Sequence, residues 1–140
     1  MIYLDTSAVV PMFVPEPASN TVDAWYESCA DSLVSSDWIV TEFASALSIK
    51  VRRGEIAEKQ ANAAWKNFTA FCRAGLRLVP VSRQGFEAAA SMARDVASGL
   101  RAGDSLHLAM ALEVGASGFA TADGTLEKNA QVNGLAVNRF

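Results

Sequence analysis

Apolar positions follow two rhythms along the chain. Short runs at Ile2-Tyr3-Leu4, Leu33-Val34, 76–81, 118–122 and Leu135-Ala136-Val137 are too brief for helices and read as strands, the first spanning 2–5 and the second 33–36. Between them, apolar residues recur at intervals of three and four. Val22, Trp25, Tyr26 and Cys29 predict a helix over 18–30, after Pro15 and Pro17 interrupt the chain. Phe43, Leu47 and Val51 predict a second helix, capped by Asp37 and running to about Arg53, with Gly54 just past its end. Trp65, Phe68 and Cys72 mark a third over 58–74, closed by Gly75. Ser82 is placed to cap a fourth with Phe86, Ala89, Ala93 and Val96 on its stripe, and a strongly apolar helix is expected from Asp104 to about Val114. Asp5-Thr6-Ser7 turns the first strand into the apolar stretch 8–13, and Asp123 caps a short helix near the end.

Strands alternating with helices of this length imply an α/β domain over 1–140, its mostly parallel sheet covered on both faces. In such sheets ligands bind beyond the carboxyl ends of the strands. That places Asp5 and Asp123, each at the end of an apolar strand, on the edge where chemistry is expected.

Composition narrows the setting. Hydrophobic residues make up 51% of 140, enough for a sizeable core. No apolar run approaches the roughly 20 residues needed to cross a bilayer, and the N-terminus has no basic residue before its apolar stretch and carries Asp5 within it, unlike a secretory signal. A cytoplasmic protein with no membrane partner is expected. Cys29 and Cys72 are far apart with no CxxC, and read as small buried hydrophobes. A net charge of −3 argues against long-range attraction to phosphate over the whole surface but leaves room for a local basic patch.

Four acids then stand out. Asp5 and Asp123 sit at strand ends, while Glu42 and Asp104 lie on helices otherwise poor in charge. Each alone has an ordinary explanation: a cap for Asp5 and Asp123, a solvated face for Glu42, the helix dipole for Asp104. Converging, they would repel one another unless a cation neutralised them. Oxygen ligands without sulfur or imidazole suit Mg2+ or Mn2+, whose bound water can attack a phosphodiester. Thr6, Ser7 and Thr121 are placed either to orient these carboxylates from behind or to serve as plain turn hydroxyls.

Strand-Asp5-Thr6-Ser7, Glu42 within Thr-Glu-Phe-Ala-Ser-Ala-Leu (41–47), Arg-Ala-Gly-Asp-Ser-Leu-His-Leu-Ala (101–109) and Phe-Ala-Thr-Ala-Asp (119–123) together resemble the PIN-domain nucleases, and among them the VapC toxins of type II toxin–antitoxin pairs. The resemblance covers essentially the whole chain. It implies an α/β/α sandwich with a parallel, five-stranded sheet, and Asp5, Glu42, Asp104 and Asp123 as catalytic acids holding one or two Mg2+ or Mn2+ ions. It further implies endoribonuclease cleavage of tRNA or rRNA, a VapB-like antitoxin partner and a homodimer.

The remaining features are ambiguous on sequence alone. His107, the one histidine, lies three residues after Asp104; among leucines it reads as a packed side chain rather than a ligand or general base. Trp25, Tyr26, Trp38, Trp65, Phe68 and Phe71 fit core positions better than base-stacking ones. Lys50, Arg52 and Arg53 form the one basic concentration, either a solvated helix end or a phosphate-binding rim. Two other functional classes compete: a PIN-fold module that binds RNA or protein without turnover, and an aspartyl-phosphate phosphatase. Ser7 occupies the place of that phosphatase's second aspartate. No GxxxxGK[ST], GxGxxG or GxSxG motif is present.

Overall fold

A computed structural model describes residues 1–140. Five strands, β1 (Ile2–Leu4), β2 (Leu33–Ser36), β3 (Arg77–Val79), β4 (Gly118–Thr121) and β5 (Ala136–Arg139), form one sheet in the order β3-β2-β1-β4-β5. Every pairing is parallel, with Tyr3 opposite Val34 on one side and Phe119 on the other. The three central strands are buried throughout, which explains why they read as continuous apolar or small-residue runs, whereas the edge strands β3 and β5 are only partly covered.

Seven helices cover the sheet: α1 (Thr6–Val9), α2 (Ser19–Ser28), α3 (Trp38–Arg52), α4 (Glu58–Ala74), α5 (Arg83–Arg94), α6 (Ala102–Glu113) and α7 (Gly124–Val132). Side chains alternate across β1, so its residues divide between two cores. Ile2 and Leu4 join Val9, Ile39, Phe43, Leu47 and Phe68 of the α1–α4 layer. Tyr3 faces the other way, into Phe119, Leu108, Met110 and Leu126 of the α6–α7 layer. The result is the expected α/β/α sandwich. No helix is long and apolar enough to cross a membrane.

The topology positions the site. From β1 the chain steps outward through β2 to β3, then returns to β4 and steps outward to β5. The winding reverses between β1 and β4, and the carboxyl ends of two such neighbours diverge to leave a crevice. Asp5 follows β1 directly, and Asp123 lies two residues beyond β4.

Several local expectations are corrected. Asp37 occupies the N-cap of α3 but makes no capping bond: its backbone is already helical and its N–H is spent on Val79 O at 2.9 Å. The α6 helix starts at Ala102, so Asp104 sits inside the first turn instead of opening it. The stripe assigned to α5 is mostly on the surface. Ala89 is buried, but Phe86 is 54% exposed, Ala93 is exposed, and Val96, beyond the helix end, is 94% exposed. Here a row of alanines permits more than one inward face, and packing against α6 selects Gly85 and Ala89. Among the aromatics, Phe68 is core and stacks on Phe43 with ring centroids 4.0 Å apart; Trp25 and Phe71 pack beside that core, while Tyr26 and Trp65 reach the surface. Cys29 and Cys72 are unpaired and part-buried against the same core.

Candidate active site

An open cleft of about 460 Å³ lies at the β1/β4 crevice, walled by the first turns after β1 and β4, one side of α3 and the start of α6. Asp5, Glu42, Asp104 and Asp123 all line it, with Thr6, Ser7, Glu16, Lys50 and His107. The fold thus gathers residues from four separate segments around one space. No three acidic, histidine or cysteine side chains stand close enough to form a chelating group as they are placed here.

Asp5 is the most enclosed of the four, 2% exposed. Its Oδ1 accepts the Ala8 N–H at 2.9 Å, capping α1, and Thr121 Oγ1 donates to Oδ2 at 2.8 Å. Ser7 Oγ lies 2.8 and 2.9 Å from the two carboxylate oxygens and accepts the Ala122 N–H at 2.7 Å. Thr121 Oγ1 likewise accepts the Asp123 N–H at 2.9 Å. Two hydroxyls therefore tie the turn after β4 to the carboxylate after β1. Burial still pushes the Asp5 pKa up, against the opposing pull of the His107 charge and these hydrogen bonds.

Asp123 caps α7 through Oδ1, which accepts N–H bonds from Thr125 and Leu126 at 2.7 and 2.9 Å; Oδ2 accepts none. Asp104 Oδ2 accepts the Arg101 N–H at 3.2 Å, tying down the first turn of α6. Its pKa is also raised, first by desolvation and then by the charges of Asp123 and Glu42. Capping and a place in the cleft coexist in these aspartates, since a carboxylate has more acceptor positions than a cap uses.

Glu42 behaves differently. Burial would raise its pKa, but hydrogen bonds and charge from His107, with further bonds from Thr6, outweigh that and lower it. Thr6 Oγ1 donates to Oε2 at 2.5 Å, and His107 Nε2 lies 2.7 Å from the same oxygen. A Cβ on Gly103 would collide with Glu42 Oε1, so any larger residue there requires this carboxylate to move. The buried indole N–H of Trp38 lies beside this spot without a hydrogen-bond partner.

Lys50 is the one lysine or arginine lining the cleft, where it pairs with Glu16 and, at 3.1 Å, with Glu55. Those carboxylates outweigh burial and raise its pKa. Arg52 turns to Ser48 and lines a separate groove between α3 and α4, and Arg53 is 71% exposed, so neither joins the cleft. Sequence reasoning missed Glu16, which sits between two prolines in a loop without periodicity. His107 is packed, as the sequence suggested, and its ring nitrogen lies 2.7 Å from Glu42, 65 residues earlier in the chain.

The residues fit a hard divalent cation by donor type: the four acids lining the cleft supply only oxygen.

Comparison with known proteins agrees with this architecture. The PIN domain family model matches residues 2–132. Ribonuclease VapC45 of Mycobacterium tuberculosis is 31% identical over 142 residues, covering 98% of this chain and 94% of the relative. Among solved structures, the sarcin-ricin loop cleaving toxin VapC20 of Mycobacterium tuberculosis superposes with a TM-score of 0.73 at 19% identity, over 92% of this chain and 95% of that one. VapBC2 from Rickettsia felis, bound to a DNA fragment from its promoter, gives a TM-score of 0.65 at 14% identity, over 100% and 99% of the two chains.

Proposed function

The chain belongs to the PIN-domain family, and from that premise we propose that it is a divalent-metal-dependent endoribonuclease. In this reading residues 1–140 form a single nuclease domain, the toxin of a type II toxin–antitoxin pair, acting on structured RNA such as tRNA or rRNA in the cytoplasm. The observation that carries the reading is the gathering of Asp5, Glu42, Asp104 and Asp123 around one cleft at the point where the sheet reverses its winding. A fold with no use for them would gain nothing from four mutually repelling carboxylates.

Asp5, Glu42, Asp104 and Asp123 would hold one or two Mg2+ or Mn2+ ions. Such an ion supplies charge against the phosphodiester and lowers the pKa of a water nucleophile. The chain's own contribution is orientation. Ser7 and Thr121 hold the Asp5 carboxylate, and Thr6 holds Glu42. Lys50 offers the cleft a cation for an incoming phosphate, which would displace Glu16; Arg52 and Arg53 serve at most as an outer rim. A VapB-like antitoxin is the proposed inhibitor, supported by the fold likeness to VapBC2, and the toxin is proposed to act as a homodimer.

The test is incubation of the purified, partner-free chain with total tRNA and rRNA in Mg2+, Mn2+ or EDTA, alongside Asp5→Asn and Asp104→Asn. Discrete fragments that require the metal and vanish in both variants are expected, and sequencing their ends names the bond. The rival reading is a PIN-fold module that binds without turnover. Absence of cleavage together with normal growth on partner-free expression would select that rival.

A further inference from the structure

We propose that His107, braced by Tyr3, is a positioning residue that fixes Glu42 by one oxygen and so keeps the other available to a bound divalent cation. This rests on the metal-dependent reading above. The ring of His107 is 1% exposed, too enclosed to meet RNA, and its role must pass through what it touches.

The proton assignment follows from the neighbours. A carboxylate only accepts hydrogen bonds, and a threonine hydroxyl has one hydrogen. Thr6 spends that hydrogen on Glu42 Oε2 at 2.5 Å. His107 Nε2 therefore faces two acceptors, Glu42 Oε2 at 2.7 Å and Thr6 Oγ1 at 3.1 Å, and must carry the hydrogen itself. The other ring nitrogen, Nδ1, lies 3.1 Å from Tyr3 Oη. Tyr3 is locked in turn: its oxygen accepts the Ser36 N–H at 3.1 Å and lies 2.9 Å from Ser36 Oγ, and its ring stacks on Phe119 at 5.6 Å. A continuous chain thus runs from β2 through β1 and α6 to the acid on α3.

The consequence is an asymmetric carboxylate. The terminal torsion of a glutamate is broad and nearly two-fold, so an unrestrained Glu42 would exchange its oxygens freely. Two donors hold Oε2, whereas the other side of the carboxylate faces only the Trp38 indole N–H, which completes no hydrogen bond, so the two oxygens are not equivalent. Gly103 supplies the space that Oε1 needs. Partners behind a metal ligand commonly change ion affinity or activity by about 10- to 100-fold.

The experiment compares His107→Leu, which keeps bulk but loses the donor, with His107→Gln, whose amide N–H reaches the position of Nε2. Mg2+ alone is titrated against each while thermal denaturation is followed, and RNA cleavage is measured in parallel. His107→Leu is expected to weaken the apparent Mg2+ affinity about 10- to 100-fold and to lower kcat more than it raises KM; His107→Gln should restore most of both. Because the chain has a single histidine, its ring 15N resonances are unambiguous. A protonated Nε2 whose resonance moves in Glu42→Ala is expected. Wild-type Mg2+ affinity and kcat in a folded His107→Leu, or a bare Nε2, would overturn the inference while leaving the nuclease reading intact. If His107→Leu fails to fold, loss in the folded His107→Gln variant as well would overturn it. A wild-type chain that neither binds Mg2+ nor cuts RNA would remove the nuclease reading, and the 15N result would then decide the tether to Glu42 alone.

Discussion

Burial holds the Asp5 carboxyl above the ordinary aspartate pKa even though Thr121, Ala8 and Ser7 all favour its anion, and Asp104 is raised as well. Both acids bind a proton more tightly in the folded chain than in the unfolded one. The stability they contribute is present at low pH and lost as pH rises through their folded values. Glu42 has the opposite sign: its contribution is present above the ordinary value of about 4.3 and is lost as pH falls through its lower folded value. In EDTA the wild-type melting temperature is therefore expected to rise as pH is lowered through the folded values of Asp5 and Asp104. Asp5→Asn should melt higher than wild type at pH 7 and flatten that rise while abolishing cleavage; a lower melting temperature at pH 7 would contradict this account. At Gly103 the prediction is steric. Gly103→Ala should preserve the helix, where alanine is intrinsically favoured by about 1 kcal/mol, yet displace Glu42 and cut Mg2+-dependent cleavage at least about 10-fold. The four acids were legible in the sequence because each interrupts an apolar segment. Tyr3 was not, because a tyrosine in a buried strand looks the same whether or not its hydroxyl holds a histidine.

At the level of elements, sequence marked Asp37 and Ser82 alike, a polar residue before an amphipathic helix, but only one caps. Ser82 has extended backbone and accepts the Gly85 N–H at 2.8 Å, whereas Asp37 is drawn into helical geometry as β2 runs straight into α3. Ser82→Ala is expected to cost about 1 kcal/mol and Asp37→Ala distinctly less, measured by urea denaturation. Strand and helix order were readable from periodicity, because three- and four-residue spacings and short apolar runs differ in kind. The inward face of α5 was not, because alanine fits either side and the choice rests with α6. Phe68 stacked on Phe43 secures α3, the helix that carries Glu42. Phe68→Ala should cost about 3–5 kcal/mol and weaken cleavage through a less well-held α3.

For the whole molecule, a net charge of −3 and a cleft with one lysine predict that RNA is not held by broad electrostatic attraction. Binding of labelled target RNA by Asp104→Asn, followed across salt concentration, should show a shallow slope, about one to three phosphate contacts; a steep slope would require a basic surface elsewhere. The five-stranded parallel sheet followed from the alternation of elements, but its strand order did not, since periodicity says nothing about which neighbours pair. That order carries a consequence for biosynthesis. The bond between Thr121 and Asp5 closes a separation of 116 residues, and β1 lacks one of its two neighbours until β4 has emerged. A growing chain on the ribosome thus holds Asp5 from the start, but its acid cleft cannot form until β4 and Asp123 have emerged to close it.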